Sequence, residues 1–294
     1  MWGKYKNHFL LHFIIFIWGF TAILGRCITL AAVPLVWYRL IIAIFGVLLY
    51  LLITKSLLKI TFNGLLKLFG VGLLIALHWI FFYHAIKVSN VSVTLACFSS
   101  GTLFVSFLEP LFFKRKIIAY EILFGLLVFL GLYFIFRFET KYLLGIFLSL
   151  VSAFFSSLFT VFNGQLIKTY NAKLITFYEL LGGFILISIY LLFSSSNNSN
   201  LFAVSIPDFI YLLILGLVCT TFTFMGSVEL MKNISPYTMV LSVNLEPVYG
   251  IILAYYIFAE DEKMTFGFYM GTILILGTIV IDAILKNKLR IRKV

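Results

Sequence analysis

The chain has 294 residues, of which 63% are hydrophobic and only 11% charged, with a mean hydropathy of +1.12. That is too apolar for an ordinary soluble domain, in which charged residues make up roughly a quarter. A formal net charge of +11 could suggest a nucleic-acid partner, but the basic residues sit in loops and at helix ends rather than on a polar face. Positive-inside orientation in a bilayer explains them instead.

A transmembrane helix needs about 20 apolar residues, and in chain order the predicted spans are 8–27, 34–53, 65–86, 91–113, 117–136, 142–166, 173–193, 208–231, 236–258 and 265–285. The expected fold is therefore an all-α membrane protein of ten transmembrane helices. The first span lacks a small-x-small cleavage site and runs from Arg26 to Pro34 straight into the second, so it reads as an uncleaved helix. No polar segment is long enough for a soluble domain. The uncharged run Ser194 to Asn200 between the seventh and eighth spans reads as a flexible external loop.

The ten spans fall into two copies of five. Val36-Trp37-Tyr38-Arg39-Leu40 matches Thr176-Phe177-Tyr178-Glu179-Leu180 at an offset of 140. Thr102-Leu103-Phe104 matches Pro247-Val248-Tyr249 at an offset of 145, and with it Lys87 matches Lys232 and Arg115 matches Glu260. One further residue of slippage aligns Gly125 with Gly271 and Gly131 with Gly277. Residues 1–138 and 139–294 are then two five-helix repeats. Because five is odd, the second copy must enter from the opposite face, which places a cavity at mid-membrane between inverted repeats. With the N-terminus inside, sixteen basic residues fall on the cytoplasmic side and five outside, so both termini are expected in the cytoplasm.

An ionisable residue at the centre of a span costs about 2.5–3.5 kcal/mol on insertion scales and so asks for a partner or a water-filled cavity. Arg39, early in the second span, is read as a gating or structural residue, against direct contact with a substrate anion or snorkelling to the headgroups. In the third span His78 and Phe82 share a face, with Trp79, Tyr83 and His84 beside them. His78 can carry a proton or hold a carboxylate, against the reading of a neutral histidine donating across a helix interface. His12 is a weaker candidate of the same kind. Ser99, Ser100, Gly101 and Thr102 interrupt the fourth span, and Thr220, Thr221 and Thr223 make a similar patch in the eighth; small and polar residues at this depth line a cavity or let helices approach. Glu179, the counterpart of Arg39, reads with Glu109 and Glu229 as a solvated or salt-bridged helix end, gating or structural in role. Glu246 stands near the midplane between Asn244 and Pro247, and proline removes a backbone hydrogen bond there. It would bind a substrate amine or couple a proton, or else serve as a structural carboxylate. Gly267 and Gly271 form a Gly-xxx-Gly that reads as packing.

Several of these segments resemble the EamA family of the drug/metabolite transporter superfamily. Phe16-Ile17-Trp18-Gly19-Phe20 is similar to its first-helix Trp-Gly signature, and Trp37-Tyr38-Arg39 to its second-helix arginine. The run Leu241 to Tyr249, with Glu260, Gly271 and Gly277, is similar to its ninth-to-tenth-helix pattern. The resemblance covers the whole chain, but Thr102 stands where a proline is usual and Arg115 where a glutamate is usual. It implies a ten-helix permease in the cell (inner) membrane, usually an exporter of a small metabolite such as an amino acid. The candidate substrate or coupling residues are then Glu246, His78, Asn244, Tyr83, Trp18, Ser99, Ser100 and Thr221, with Arg39 and Glu179 gating or structural.

The chemistry expected is alternating access by a secondary transporter. An intramembrane enzyme is the rival, but no His-Glu-x-x-His, paired aspartates or Gly-x-Ser-x-Gly elbow is present. A channel would need a filter segment that is not recognisable, and a flippase for a lipid-linked substrate is the remaining alternative. There is no Walker-type phosphate loop. Cys27, Cys97 and Cys219 give neither a disulfide framework nor a metal motif. No cofactor or metal is expected; the partners are a small-molecule substrate and the bilayer, with no nucleic acid and with a homodimer left open.

Overall fold

Backbone polar groups in hydrocarbon must be satisfied within the chain, which favours helices for a sequence this apolar. The computed structural model describes residues 2–56, 59–114, 116, 119–194 and 204–291, and every regular element among them is helical. The stretch 195–200 of the polar loop, Arg115, and Arg292 and Lys293 of the charge count lie outside the described residues.

The first half runs α1 (Trp2–Cys27), α2 (Ala32–Ile53), α3 (Phe62–Val88), a helix broken into α4 (Val91–Phe98) and α5 (Gly101–Phe113), and α6 (Ala119–Phe138). The second half repeats the series as α7 (Leu143–Leu166) and α8 (Ala172–Phe193). There follows a helix with a π-helical middle, α9 (Ile206–Leu213) continuing through Ile214–Phe222 into α10 (Thr223–Leu230). A second broken helix, α11 (Pro236–Val243) and α12 (Leu245–Phe258), leads to α13 (Phe266–Ile291). Among the described residues eight of these units are long and apolar enough to cross a membrane. The other two predicted stretches correspond to shorter apolar helices, Leu126–Phe138 within α6 and Phe266–Thr278 within α13.

Local sequence sets the starts. Thr61, Asn90, Asn171, Ser205 and Ser235 each accept a hydrogen bond from the backbone N–H three residues on, which satisfies one otherwise orphaned donor at the head of its helix. Pro207 and Pro236 follow their caps inside the first turn, where the missing N–H is not needed. Asn90 and Ser235 are 145 residues apart, so the cap that opens the fourth span recurs at the ninth.

The halves interlock as antiparallel copies. α4 packs on α12 and α5 on α11, so the start of one broken helix lies beside the end of the other. Two carboxylates fix this arrangement from opposite ends. Glu262 accepts from the backbone N–H of Val91 and Ser92, at 3.0 and 2.8 Å, at the head of α4, and Glu109 accepts from Tyr237 N–H, at 2.6 Å, at the head of α11. The remaining contacts exchange in the same way: α3 meets α7 and α8, as the α9–α10 unit meets α1 and α2; α5 meets α7, as α12 meets α1; and α6 pairs with α13 at the edge.

Glycines bring several of these pairs into backbone contact. A Cβ on Gly72 of α3 would fall on the Glu179 carbonyl of α8, and one on Gly271 of α13 would meet the Gly131 carbonyl of α6. The Gly-xxx-Gly of α13 thus packs as expected. The larger core joins α1, α2, α3, α8 and the α9–α10 unit, and a smaller one joins α4, α5, α6, α11 and α13. Large apolar side chains such as Phe45, Leu111, Phe193 and Ile273 point outward, as a surface facing lipid requires.

Candidate functional site

The two helix breaks occupy equivalent places, since Ser99 and Asn244 are 145 residues apart. Asn244 ends α11 and begins α12, and its amide donates to Thr102 Oγ1 at the head of α5 and to the Val240 carbonyl at 3.1 Å. The breaks therefore meet, beside a cavity bordered by α1, α2, α3, the adjoining ends of α4 and α5, α7, the π-helical segment with α10, α11 and α12. Interrupted helices at mid-membrane are tolerated where they line such a space. Glu246, in the first turn of α12, and Gly101, its counterpart at the head of α5, both line it. A carboxylate suits that place because the amino end of a helix carries partial positive charge.

Arg39 faces the same cavity and is only 3% exposed. Its Nε donates to Thr220 Oγ1 at 2.7 Å, one terminal nitrogen to Tyr83 Oη at 2.7 Å and the other to the Cys219 carbonyl at 3.5 Å. The guanidinium lies 3.9 Å from the centre of the Trp79 ring, an attractive cation–π contact. Snorkelling to the headgroups is thus corrected: four surrounding groups, Thr220, Tyr83, the Cys219 carbonyl and Trp79, hold this arginine inward. The π-helical segment makes that possible. Thr220 and Thr221 reach back five residues to the carbonyls of Leu215 and Gly216, and the widened turn presents Thr220 to Arg39.

His78 lines the cavity against α7. Ser152 Oγ donates to the His78 carbonyl at 3.0 Å and lies 2.8 Å from Nδ1. Having used its proton, that hydroxyl can only accept from the ring, so Nδ1 carries the hydrogen and Nε2 keeps a free lone pair. The imidazole stacks on Phe98, with centroids 5.4 Å apart. Trp18 lines the cavity too, and its indole donates to Thr223 Oγ1 at 2.9 Å. The wall between these polar points is aromatic, from Trp79, Phe82, Phe98, Phe159 and Phe224, with hydroxyls from Thr21, Ser156, Thr160 and Ser227. Met231 and Met239 line it toward the face that carries the N-terminus. At the opposite face, hydrogen bonds join the halves, Thr29 to Asp208 at 2.6 Å and Asn90 to the Asp261 carbonyl at 3.2 Å, and within the first half Lys87 donates to the Ile28 carbonyl.

Of the residues singled out from the sequence, Glu246, His78, Asn244, Trp18 and Arg39 line this one cavity, and Tyr83 stands behind it through Arg39. Ser99 and Ser100 lie at the α4–α5 break without lining the space. Thr221 packs instead between helices, its hydroxyl on the Ala43 carbonyl of α2. His12 and His84 are exposed. Glu229 pairs with Lys232 at a helix end as expected. Glu179 and Glu109 do not lie at solvated ends: both are buried, Glu109 as the cap of α11 and Glu179 beside Asn163. In the acidic run Glu260-Asp261-Glu262, Glu262 is buried as the cap of α4. The α7 hydroxyls Ser156 and Thr160 went unnoticed in the sequence, although their four-residue spacing was a usable signal.

A model of the EamA-like transporter family matches residues 6–137 and 143–282, one copy over each half. A solved structure described only as "Crystal structure of protein" superposes with a TM-score of 0.69 over 95% of this chain and 98% of that one, at 16% identity, a likeness of fold alone. No curated protein matches.

Proposed function

The chain belongs to the EamA-like transporter family, and from that premise we propose that it carries a small zwitterionic metabolite, such as an amino acid, out of the cell by alternating access. One observation carries the reading. Arg39 and Glu246, of opposite charge, face one cavity at the crossing of two broken helices, and no direct ion pair joins them among the described residues. A substrate with a carboxylate and an amine answers both, the first at the planar guanidinium and the second at Glu246 with Asn244 beside it. The aromatic and methionine wall suits an apolar or aromatic side chain.

The cavity reaches toward the N-terminal face, which the excess of basic residues assigns to the cytoplasm, and the opposite face is held shut by bonds between the halves. Loading from inside, followed by rocking of one repeat against the other, would deliver the substrate outward. The family speaks for transport rather than catalysis.

Counterflow into proteoliposomes tests this. Protein reconstituted with internal phenylalanine, leucine or methionine should accumulate the labelled amino acid, and an N-acetylated or amidated analogue lacking one charge should not compete. Equal competition by analogues of either kind would overturn the zwitterion reading.

A further inference from the structure

We infer that Glu179 is a proton-binding site, outside the cavity, whose protonation is coupled to transport. The inference rests on the transport reading above, and its test includes a readout independent of any substrate.

Arg39 and Glu179 are each the eighth residue of a 22-residue helix, α2 and α8, at the repeat offset of 140. Their surroundings differ sharply. Arg39 donates from all three of its nitrogens, whereas Glu179, with no exposure, has one partner: the Asn163 amide donates to its Oε2 at 3.2 Å. Its Oε1, the Asn163 Oδ1 and the Thr176 hydroxyl, one turn earlier on α8, are buried without a hydrogen-bond partner among the described residues. A fully buried carboxylate with a single hydrogen bond is a poor resting place for negative charge.

No cation comes to its aid from the elements around it. On α2, Arg39 is committed to Thr220 and Tyr83; on α3, Lys67 and His84 are exposed, His78 is bound to Ser152 and Lys87 to the Ile28 carbonyl. On α8 itself Lys173 is bound to Thr54 and Ser56, Glu229 on α10 pairs with Lys232, and α7 carries no charged residue. The tyrosines Tyr38, Tyr50, Tyr83 and Tyr178 are phenols and supply no cation. A proton therefore completes the site. Placed on Oε1, it turns the carboxyl into a donor, and the unanswered acceptor is Oδ1 of Asn163, the amide that already bonds Oε2. A metal cation fits less well, because three oxygens fall short of the six or more that hard divalent ions take.

The position links the proton to the cavity. Asn163 stands one turn beyond Thr160 on α7, and Thr160 lines the cavity. The Glu179 backbone also packs against Gly72 of α3, the helix that carries His78. A protonated carboxyl bonds Asn163 through both of its oxygens and ties α8 to α7; loss of the proton to the bulk removes a donor and sets Oε1 against Asn163 Oδ1. Protonation thus alters the hold on a helix that walls the substrate path.

Infrared difference spectra of the reconstituted protein, taken between about pH 4 and pH 10 to span the range of shifted carboxyls, test this directly. We expect a protonated-carboxyl band that titrates, that is lost in Glu179→Gln, that persists in Glu246→Gln and that shifts in Asn163→Ala. With labelled phenylalanine, Glu179→Gln should retain counterflow but lose accumulation driven by a pH gradient. The inference is overturned if no titrating band is lost in Glu179→Gln, if sodium at fixed pH abolishes the band, or if counterflow falls together with driven accumulation. Failure of wild-type counterflow would overturn the transport reading while leaving the spectra to decide the proton site.

Discussion

Two opposite charges share one cavity without touching, and each is costly to bury unless something answers it. Arg39 is answered by Tyr83, Thr220 and the face of Trp79, and it still presents a guanidinium to the space. Arg39→Lys keeps the charge but not the fork, so the KM for phenylalanine should rise about tenfold or more with normal insertion. An unchanged KM would show that this arginine only positions Tyr83 and Trp79. Glu246→Gln should remove the anchor for the amine, and His78→Phe should leave stability nearly intact while losing transport or its pH response. Both variants need assay across pH, since wild-type rates and pH response in both would relegate these residues to packing.

Elements, rather than single residues, make the cavity. The breaks at Ser99 and Asn244 stop two helices at equivalent depths, and the π-helical segment widens a third. The carboxylates that cap α4 and α11 tie these pieces together from opposite ends. Glu262→Ala should therefore cost about 1–2 kcal/mol, as the loss of a helix cap does, read as a lowered melting temperature in detergent. If Glu262→Ala melts like the wild type, the cap does not hold the halves together. Gly72→Leu should be far worse, because its side chain would have to displace the α8 backbone at Glu179. Loss of folded protein in that variant, against near-normal behaviour of Gly70→Leu, where open space surrounds the glycine, is the expected contrast.

At the scale of the whole molecule, antiparallel pairing of the broken helices places the two loops beyond α10 and α12 on opposite faces. Lys232 and Lys263, both exposed, mark those faces. With the orientation proposed above, the Lys232 side, which carries the excess of basic residues, faces the cytoplasm. In intact cells a cysteine at Lys263 should react with an impermeant maleimide and one at Lys232 should not, with Cys27, Cys97 and Cys219 replaced to clear the background. The reverse pattern would invert the orientation while leaving the fold untouched.

Hydropathy, the shared offsets and the cap residues by themselves determined the class and the plan of this protein, because burial in a bilayer leaves helices as the solution and a repeat of odd helix number inverts. They also located the first break, at Ser99-Ser100-Gly101-Thr102, and a loosening at Pro247 close to the second, which falls at Asn244. What the sequence could not decide was which polar residues meet. Arg39 and Glu179 are matched in the sequence, yet one lies in the cavity and the other behind its wall, because each neighbourhood is assembled from other helices: Thr220 and Tyr83 around the first, Asn163 beside the second. Glu109 looked like a solvated or salt-bridged end, and nothing marked Glu262 as a cap, for the same reason. Their partners are backbone groups more than a hundred residues away, and only packing brings them together.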